Sequence, residues 1–324
     1  VSEALLDIKD LTIEFGSGSQ PLRVVDNISF AVSLGETVGI VGESGSGKSM
    51  TALSVLRLVP EAARVSGQII FEGRDLLKLP KREMPAIRGK EIGMIFQEPM
   101  SSLNPLMTIG DQIDEAIRLH EDIPAPERRK RVLALLRLVG MPDPENRLSA
   151  YPDQFSGGMR QRVMAAIAMA CNPKLLIADE PTTALDVTIQ AQVLAMMLDI
   201  RARFNSSILL ITHDLGVVAE ICERVVVMYA GRILEDADAR SLFSNARHPY
   251  TQGLLRSVPT LNDTRKRLYQ IPGSVPPAGT IKAGCPFRPR CSVRMERCAV
   301  EMPPLRTYDP GHRVACWATA EAAA

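Results

Sequence analysis

Apolar and polar residues alternate from the first turn of the chain. Residues 5–15 (LLDIKDLTIEF) follow a period close to two, which predicts a strand with one buried face. Residues 22–32 and 68–74 read as two further strands, and a Gly/Ser/Pro cluster separates the first two runs. Thr37–Val41, Glu91–Phe96, Lys174–Ala178, Ser206–Ile211 and Arg224–Met228 are short runs of mainly apolar residues, as expected of strands buried on both faces. Helical spacing predicts helices over 51–58, 127–139, 158–171, 186–203 and 215–222. Strands alternating with such helices imply crossover units and a mostly parallel sheet, with the early antiparallel strands as a side sheet. Segment 99–150 has no strand pattern and reads as a helical insert with proline joints at Pro124–Pro126 and Pro142–Pro144.

The pattern changes after Gly231. Residues 240–324 are rich in proline and hold four of the six cysteines, so they read as a small, loop-rich region that needs a staple to fold. The final ATAEAAA is expected to fray. The chain of 324 residues is long enough for one large domain with an appendage or two modest ones. Its net charge of +1 and aromatic content of 4% argue against a nucleic-acid binder, and 46% hydrophobic with 23% charged residues argues against disorder. The longest weakly polar stretch, Val163–Cys171, falls far short of the roughly 20 apolar residues a membrane-spanning helix needs. The acidic, strand-like start does not read as a secretory signal, so crowded cysteines favour a metal site over disulfides.

Residues 42–49, GESGSGKS, match G-x-x-x-x-G-K-[ST] between an apolar strand and a helix. Glycines let the backbone curl so that successive N–H groups point at phosphate oxygens, and the helix start adds its positive end. The expected binding set is Gly42, Ser44, Gly45, Ser46, Gly47, Lys48, Ser49 and Met50. Lys48 supplies a charge for the β and γ phosphates, and the Ser49 hydroxyl suits Mg²⁺. The bland alternative is an accidental glycine-rich turn.

Leu175–Glu180 reads as an apolar strand ending in two carboxylates at the sheet edge where ligands bind. Asp179 is expected to hold Mg²⁺ and Glu180 to polarise the attacking water; the bland alternative is a solvated strand end. Phe155–Arg162 (FSGGMRQR) then resembles the signature of ATP-binding cassette (ABC) ATPases, with Met159 where glutamine is usual. Gln97 of MIFQEP, Thr183-Ala184-Leu185-Asp186 and His213 of ITHD resemble the family's Q-loop, D-loop and switch histidine, in the family's order.

The resemblance implies an α/β ABC-type P-loop ATPase. It should have a mostly parallel core sheet, an N-terminal antiparallel side sheet, a helical insert and a small loop-rich C-terminal region. The expected domains are 1–240, with a helical subdomain at about 99–165, and 241–324. It also implies roles. Ser156, Gly157 and Gly158 would meet the γ-phosphate of ATP held by a second cassette. Asp186 would contact that partner's phosphate loop, His213 the γ-phosphate, and Gln97 Mg²⁺ or its water. Phe15 would lie under adenine, with a plain core Phe as the alternative.

Gln97–Pro105 (QEPMSSLNP), Ile177–Val187 and Arg247–Leu255 (RHPYTQGLL) are similar to the D-type ATPase of dipeptide and oligopeptide importers. That resemblance implies ATP and Mg²⁺, a second and different F-type ATPase subunit, two membrane permease subunits and an extracytoplasmic solute-binding protein. It places the chain at the cytoplasmic face of the cell membrane as a peripheral subunit. Alternatives are the same importer family with a nickel chelate, glutathione or opine as solute, or a soluble non-transport ABC ATPase.

Cys285, Cys291, Cys298 and Cys316 are spaced more widely than the pairs of most structural zinc sites, and residues 281–316 carry a net charge of +4. Four such thiols can wrap a [4Fe–4S] cluster, which ATPases of this importer type are similar in carrying. Zinc, or cysteines without a metal, are the alternatives. Cys171 and Cys222 read as core residues, and His312 as a surface residue or, less well, a ligand.

Overall fold

The computed structural model describes residues 4–16, 21–98, 102–183, 185–258, 269–281 and 283–322. Pro99, Met100, Ser101, Ala184, Pro259 and Lys282, which the sequence reading used, lie outside them. Twelve strands are described: β1 Ala4–Phe15, β2 Leu22–Ser33, β3 Thr37–Val41, β4 Ala63–Phe71, β5 Arg74–Asp75, β6 Ile92–Ile95, β7 Leu175–Asp179, β8 Ser207–Thr212, β9 Arg224–Tyr229, β10 Arg232–Asp238, β11 Arg306–Asp309 and β12 His312–Val314. The chain forms two compact units interleaved in sequence. One takes residues 78–211 with short pieces of β1 and β2, and the other takes the remainder.

In the first unit β6, β7 and β8 run parallel, with Met94 opposite Ile177 and Ile177 opposite Leu209. These three strands are buried along their length, as continuous apolar runs require. The insert holds helices α2 (Ile109–Arg118) and α3 (Ala125–Leu138), followed by α4 (Gly157–Ala168) and α5 (Val187–Phe204); among the described residues it contains no strand.

In the second unit the side sheet has the order β2-β1-β4-β5, with β1 antiparallel to β4 and β4 to β5. Leu6 and Ile8 face the core, and so do Leu11 and Ile13, although the parity has changed. A register shift between Lys9 and Thr12, with Asp10 at φ 49, turns the second half of β1 back onto its buried face. The run read as one strand over 68–74 is part of a hairpin. Glu72 and Gly73, both with positive φ, form its tight turn. β3 lies parallel to β9, and β9 antiparallel to β10. Helix α1 (Lys48–Val55) begins three residues earlier than its apolar spacing indicates, directly at the end of the glycine-rich loop.

The C-terminal region is more ordered than its composition implies. β12 pairs antiparallel with β10, and β11 with β12, so the region adds two strands to this sheet. Tyr229, Tyr250 and Phe287 pack edge to face or tilted, with centroids 4.7–5.4 Å apart. His312 is a correction: it is 2% exposed, and its Nε2 meets the buried Glu235 carboxylate at 2.7 Å. Cys222 is buried as expected, whereas Cys171 is only half-buried, its thiol 3.6 Å from the Ala116 carbonyl.

Candidate functional site

The glycine-rich loop lies in the second unit, between β3 and α1. Its curl is enforced by neighbours. A Cβ on Gly42 (φ 154) would stand 2.1 Å from the Met228 carbonyl oxygen, and one on Gly47 (φ 97) 2.8 Å from that of Val24. Ser46 and Lys48 are buried. Lys48 Nζ donates to the carbonyls of Gly42 (2.8 Å) and Glu43 (3.1 Å) and lies 3.4 Å from Ser46 Oγ. Gly45 stands at the open side, where an added Cβ would meet nothing within 4 Å. The cradle therefore fits an anion: closed behind, open in front, with a cation inside and a helix start below. Ser49 and Met50 are half-buried in the first turn of α1. Phe15 is half-buried at the end of β1 rather than sealed in a core, and His213 is exposed just beyond β8. Asp214 caps helix α6 (Leu215–Ile221) by accepting from the N–H of Gly216 and Val217.

The acidic pair lies in the first unit. Asp179 is buried at the end of β7. Glu180 leaves the strand with φ 48, and its N–H donates to the Ile211 carbonyl at 2.8 Å. Its Oε2 accepts from Gln97 Nε2 at 3.2 Å and from Thr183 Oγ1 at 2.9 Å. A side chain from a separate loop thus meets the carboxylate at the strand end. Thr183 stands in the stretch that resembles the D-loop, and its contact with Glu180 is an addition to that reading.

Ser156 caps α4, accepting from the Met159 N–H at 3.4 Å. Ser156 and Gly157 are exposed. Gly158 packs on α5, where a Cβ would come within 2.8 Å of Ile189 Cγ2. Asp186 caps α5, accepting from the Ile189 N–H at 2.9 Å, so it has a structural task in its own chain.

The four C-terminal thiols influence one another electrostatically. Burial pushes the Cys285 thiol up to about 12, and charge on Cys298, Cys316 and Cys291 acts in the same direction. Burial also raises Cys291. The Cys285 N–H donates to the Cys298 carbonyl at 2.9 Å. Yet among the described residues no group of three or more His, Cys, Asp or Glu side chains is gathered so as to hold a metal ion. The placement of the described residues gives the expected iron–sulfur (or zinc) centre no support. The argument from local positive charge also weakens. Arg290 and Arg313 pair with Glu43 and Asp236, two acids outside residues 281–316.

The sequence reading also missed the side chains behind the loop. Arg290 and Tyr250 both reach Glu43, a position that the loop motif leaves unspecified.

The chain is similar to several known proteins. The ABC transporter family model matches residues 25–183, and the model described as oligopeptide/dipeptide transporter, C-terminal region, matches residues 234–298. The oligopeptide transport ATP-binding protein AppD of Bacillus subtilis is 50% identical over 97% of this chain and 96% of its own length. The dipeptide transport ATP-binding protein DppD of Escherichia coli is 48% identical over 97% of this chain and 96% of its own. Among solved structures, the ATP-binding cassette MJ0796, a dimer in a post-hydrolysis state bound to ADP and Pi, superposes with a TM-score of 0.65 at 27% identity, covering 72% of this chain and 99% of that one. Its fold is that of an ABC P-loop ATPase, with an antiparallel N-terminal sheet and a mixed, mainly parallel core sheet. The chain belongs to the family of ATP-binding proteins of oligopeptide and dipeptide ABC transporters.

Proposed function

We propose that this chain hydrolyses Mg-ATP at residues 42–50 and Glu180 to drive uptake of di- or oligopeptides through a membrane complex. The observation that carries the chemistry is the Glu180 carboxylate at the end of a buried strand, held by Gln97 and Thr183. A carboxylate oriented in this way suits a general base for the attacking water. Lys48 would release its loop carbonyls to a triphosphate. Ser49, Asp179 and Gln97 would hold Mg²⁺ or its water. Phe15 would support adenine, and His213 would contact the γ-phosphate.

The Ser156–Gly158 turn, with Ser156 and Gly157 exposed, and Asp186 would complete the ATP site of a second cassette, and the dimeric state of MJ0796 supports this reading. The second cassette would be a different F-type chain. Two permeases and a solute-binding protein would complete the importer, with this chain at the cytoplasmic membrane face. No described helix is long and apolar enough to cross a membrane.

Glu180→Gln in the assembled complex should trap an ATP-bound, closed dimer, with turnover lowered on the order of a thousandfold. Hydrolysis at the normal rate would remove Glu180 from this role. The solute is tested in proteoliposomes with the cognate binding protein. Stimulation of ATPase by di- or oligopeptides is expected; stimulation only by a nickel chelate, glutathione or an opine would replace the peptide reading.

The iron–sulfur reading of Cys285, Cys291, Cys298 and Cys316 rests on the nearness of the thiols. There are four thiols within electrostatic reach of one another, but among the described residues no group gathered to hold a metal. Iron, sulfide and zinc analysis of anaerobically purified complex decides it, and metal-free protein with a folded C-terminal region would end it.

A further inference from the structure

Glu43 is fastened at three points. Its N–H donates to Tyr250 Oη at 2.9 Å. Its carbonyl accepts from Lys48 Nζ at 3.1 Å and the Ser46 N–H at 3.2 Å. Its carboxylate takes both prongs of the Arg290 guanidinium, Nη1 to Oε2 at 2.6 Å and Nη2 to Oε1 at 3.1 Å.

Arg290 is itself over-determined. Nε donates to the Pro272 carbonyl at 2.9 Å, Nη2 to that of Ile271 at 3.2 Å, and Nη1 to Tyr229 Oη at 3.4 Å. The guanidinium carbon lies 5.8 Å and 6.0 Å from the ring centroids of Tyr229 and Phe287, and the side chain is only 5% exposed. A planar fork satisfied along every edge cannot turn without breaking several bonds at once. It stands in the short turn Arg288–Arg290, between Cys285 and Cys291.

This bracing answers an electrostatic problem. Glu43 is the only acid in residues 42–49, and a loop that grips a polyanion should not present an unpaired carboxylate to it. We propose that Arg290 is a positioning residue for nucleotide binding: through Glu43 it neutralises the loop's one carboxylate and holds the first turn curled, so that the C-terminal region forms part of the ATP site. The inference rests on residues 42–49 being the phosphate loop.

The test uses the assembled transporter, with KM for ATP and kcat measured separately. Trp317, the only tryptophan, lies in the C-terminal region and reports its folding. Arg290→Met strands the carboxylate and should raise KM about tenfold or more with kcat within threefold of wild type. Arg290→Lys keeps the charge and should recover most of that loss. Adding Glu43→Gln to Arg290→Met should bring KM back to within about threefold of wild type, a suppression that a merely structural role would not show.

An unchanged KM in Arg290→Met with wild-type Trp317 emission, or no recovery in the double variant, overturns the proposal. If Arg290→Met does not fold, Arg290→Gln, which keeps a donor for the Ile271 carbonyl, enters the same cycle. Lys48→Ala separates the two readings. If it binds ATP as wild type does, residues 42–49 are not the phosphate loop; if it loses ATP while Arg290→Met does not, only the role of Arg290 falls.

Discussion

Two glycine-containing turns open helices in this protein, and they are built in opposite ways. The turn before α1 is closed from behind: Ser46 and Lys48 are buried, the Met228 and Val24 carbonyls press on Gly42 and Gly47, and Arg290 and Tyr250 hold Glu43. The turn before α4 is open. Ser156 and Gly157 are exposed, and a Cβ on Gly157 would meet nothing within 4 Å. Both stand at the positive end of a helix. The first is braced within its own unit, whereas the second has room for something brought to it. Its glycine is required, on the proposed function, by a phosphate from another subunit rather than by a neighbour already present.

The sharpest break of this comparison is Gly42→Ala. The methyl group would stand 2.1 Å from a backbone oxygen that has no rotamer to escape into, at a φ of 154 that side chains rarely adopt. Overpacking and backbone strain together should cost about 4 kcal/mol. Thermal melting of the purified chain measures this, and a wild-type melt would show that the loop is not packed in this way.

Acid should loosen the braced turn and spare the open one. Burial lowers the His248 imidazole from its ordinary 6.5 to about 4, and its Nδ1 accepts the Tyr250 N–H at 3.0 Å. Between those two pH values the unfolded chain binds a proton that the native one does not. Stability is therefore whole above about pH 6.5 and declines as pH falls toward 4, by up to about 3 kcal/mol. Glu235 faces His248. Burial opposes its ionisation, but hydrogen bonds from His312 and the N–H groups of Arg247 and His248 outweigh this and hold its carboxyl below the ordinary range. Its contribution is present above about pH 4.5 and is lost on further acidification, in the same direction. Denaturant melts followed by Trp317 fluorescence should show the slope, and His248→Asn, which keeps an acceptor for Tyr250, should flatten it between pH 6.5 and 4.

Gly157→Ala sharpens the other side. With open space around it, the substitution should leave melting within about 0.5 kcal/mol of wild type. ATP binding to the isolated chain should not change, while hydrolysis by the assembled pair should fall on the order of a hundredfold. Full activity would mean that no phosphate comes to this turn.

The contrast also explains what could be read in advance. β7 and β8 were legible because every position from Leu175 to Ala178 and from Ile208 to Ile211 is apolar, and runs this short between turn signals suit a strand buried on both faces. The open turn was legible as well, because its residues are contiguous. The brace was not: Glu43 and Arg290 are 247 positions apart, and the glutamate occupies a place the loop motif leaves free. β11 (RTYD) and β12 (HRV) are short and polar, and they exist as strands because β10 offers an edge to pair with. His312 reads as a surface residue until Glu235, on that same β10, is seen to need it.

Asp186 gives the smallest effect and the finest distinction. It caps an 18-residue helix through the Ile189 N–H, and Ile189 is the side chain on which Gly158 packs, so the cap and the open turn share a support. Removing the side chain cannot separate a capping role from a contact with a second subunit. Asp186→Ala should cost about 1 kcal/mol of stability whichever is true. Asp186→Ser keeps an oxygen acceptor for the helix and discards the charge, so its melt should lie within about 0.5 kcal/mol of wild type. If Asp186 also meets the partner's phosphate loop, the Ser variant should still lose ATPase severalfold in the assembled complex, with ATP binding to the isolated chain unaltered. Wild-type turnover in Asp186→Ser, beside a measurable loss of stability in Asp186→Ala, would confine this residue to the cap and leave Ser156–Gly158 to carry the proposed contact alone.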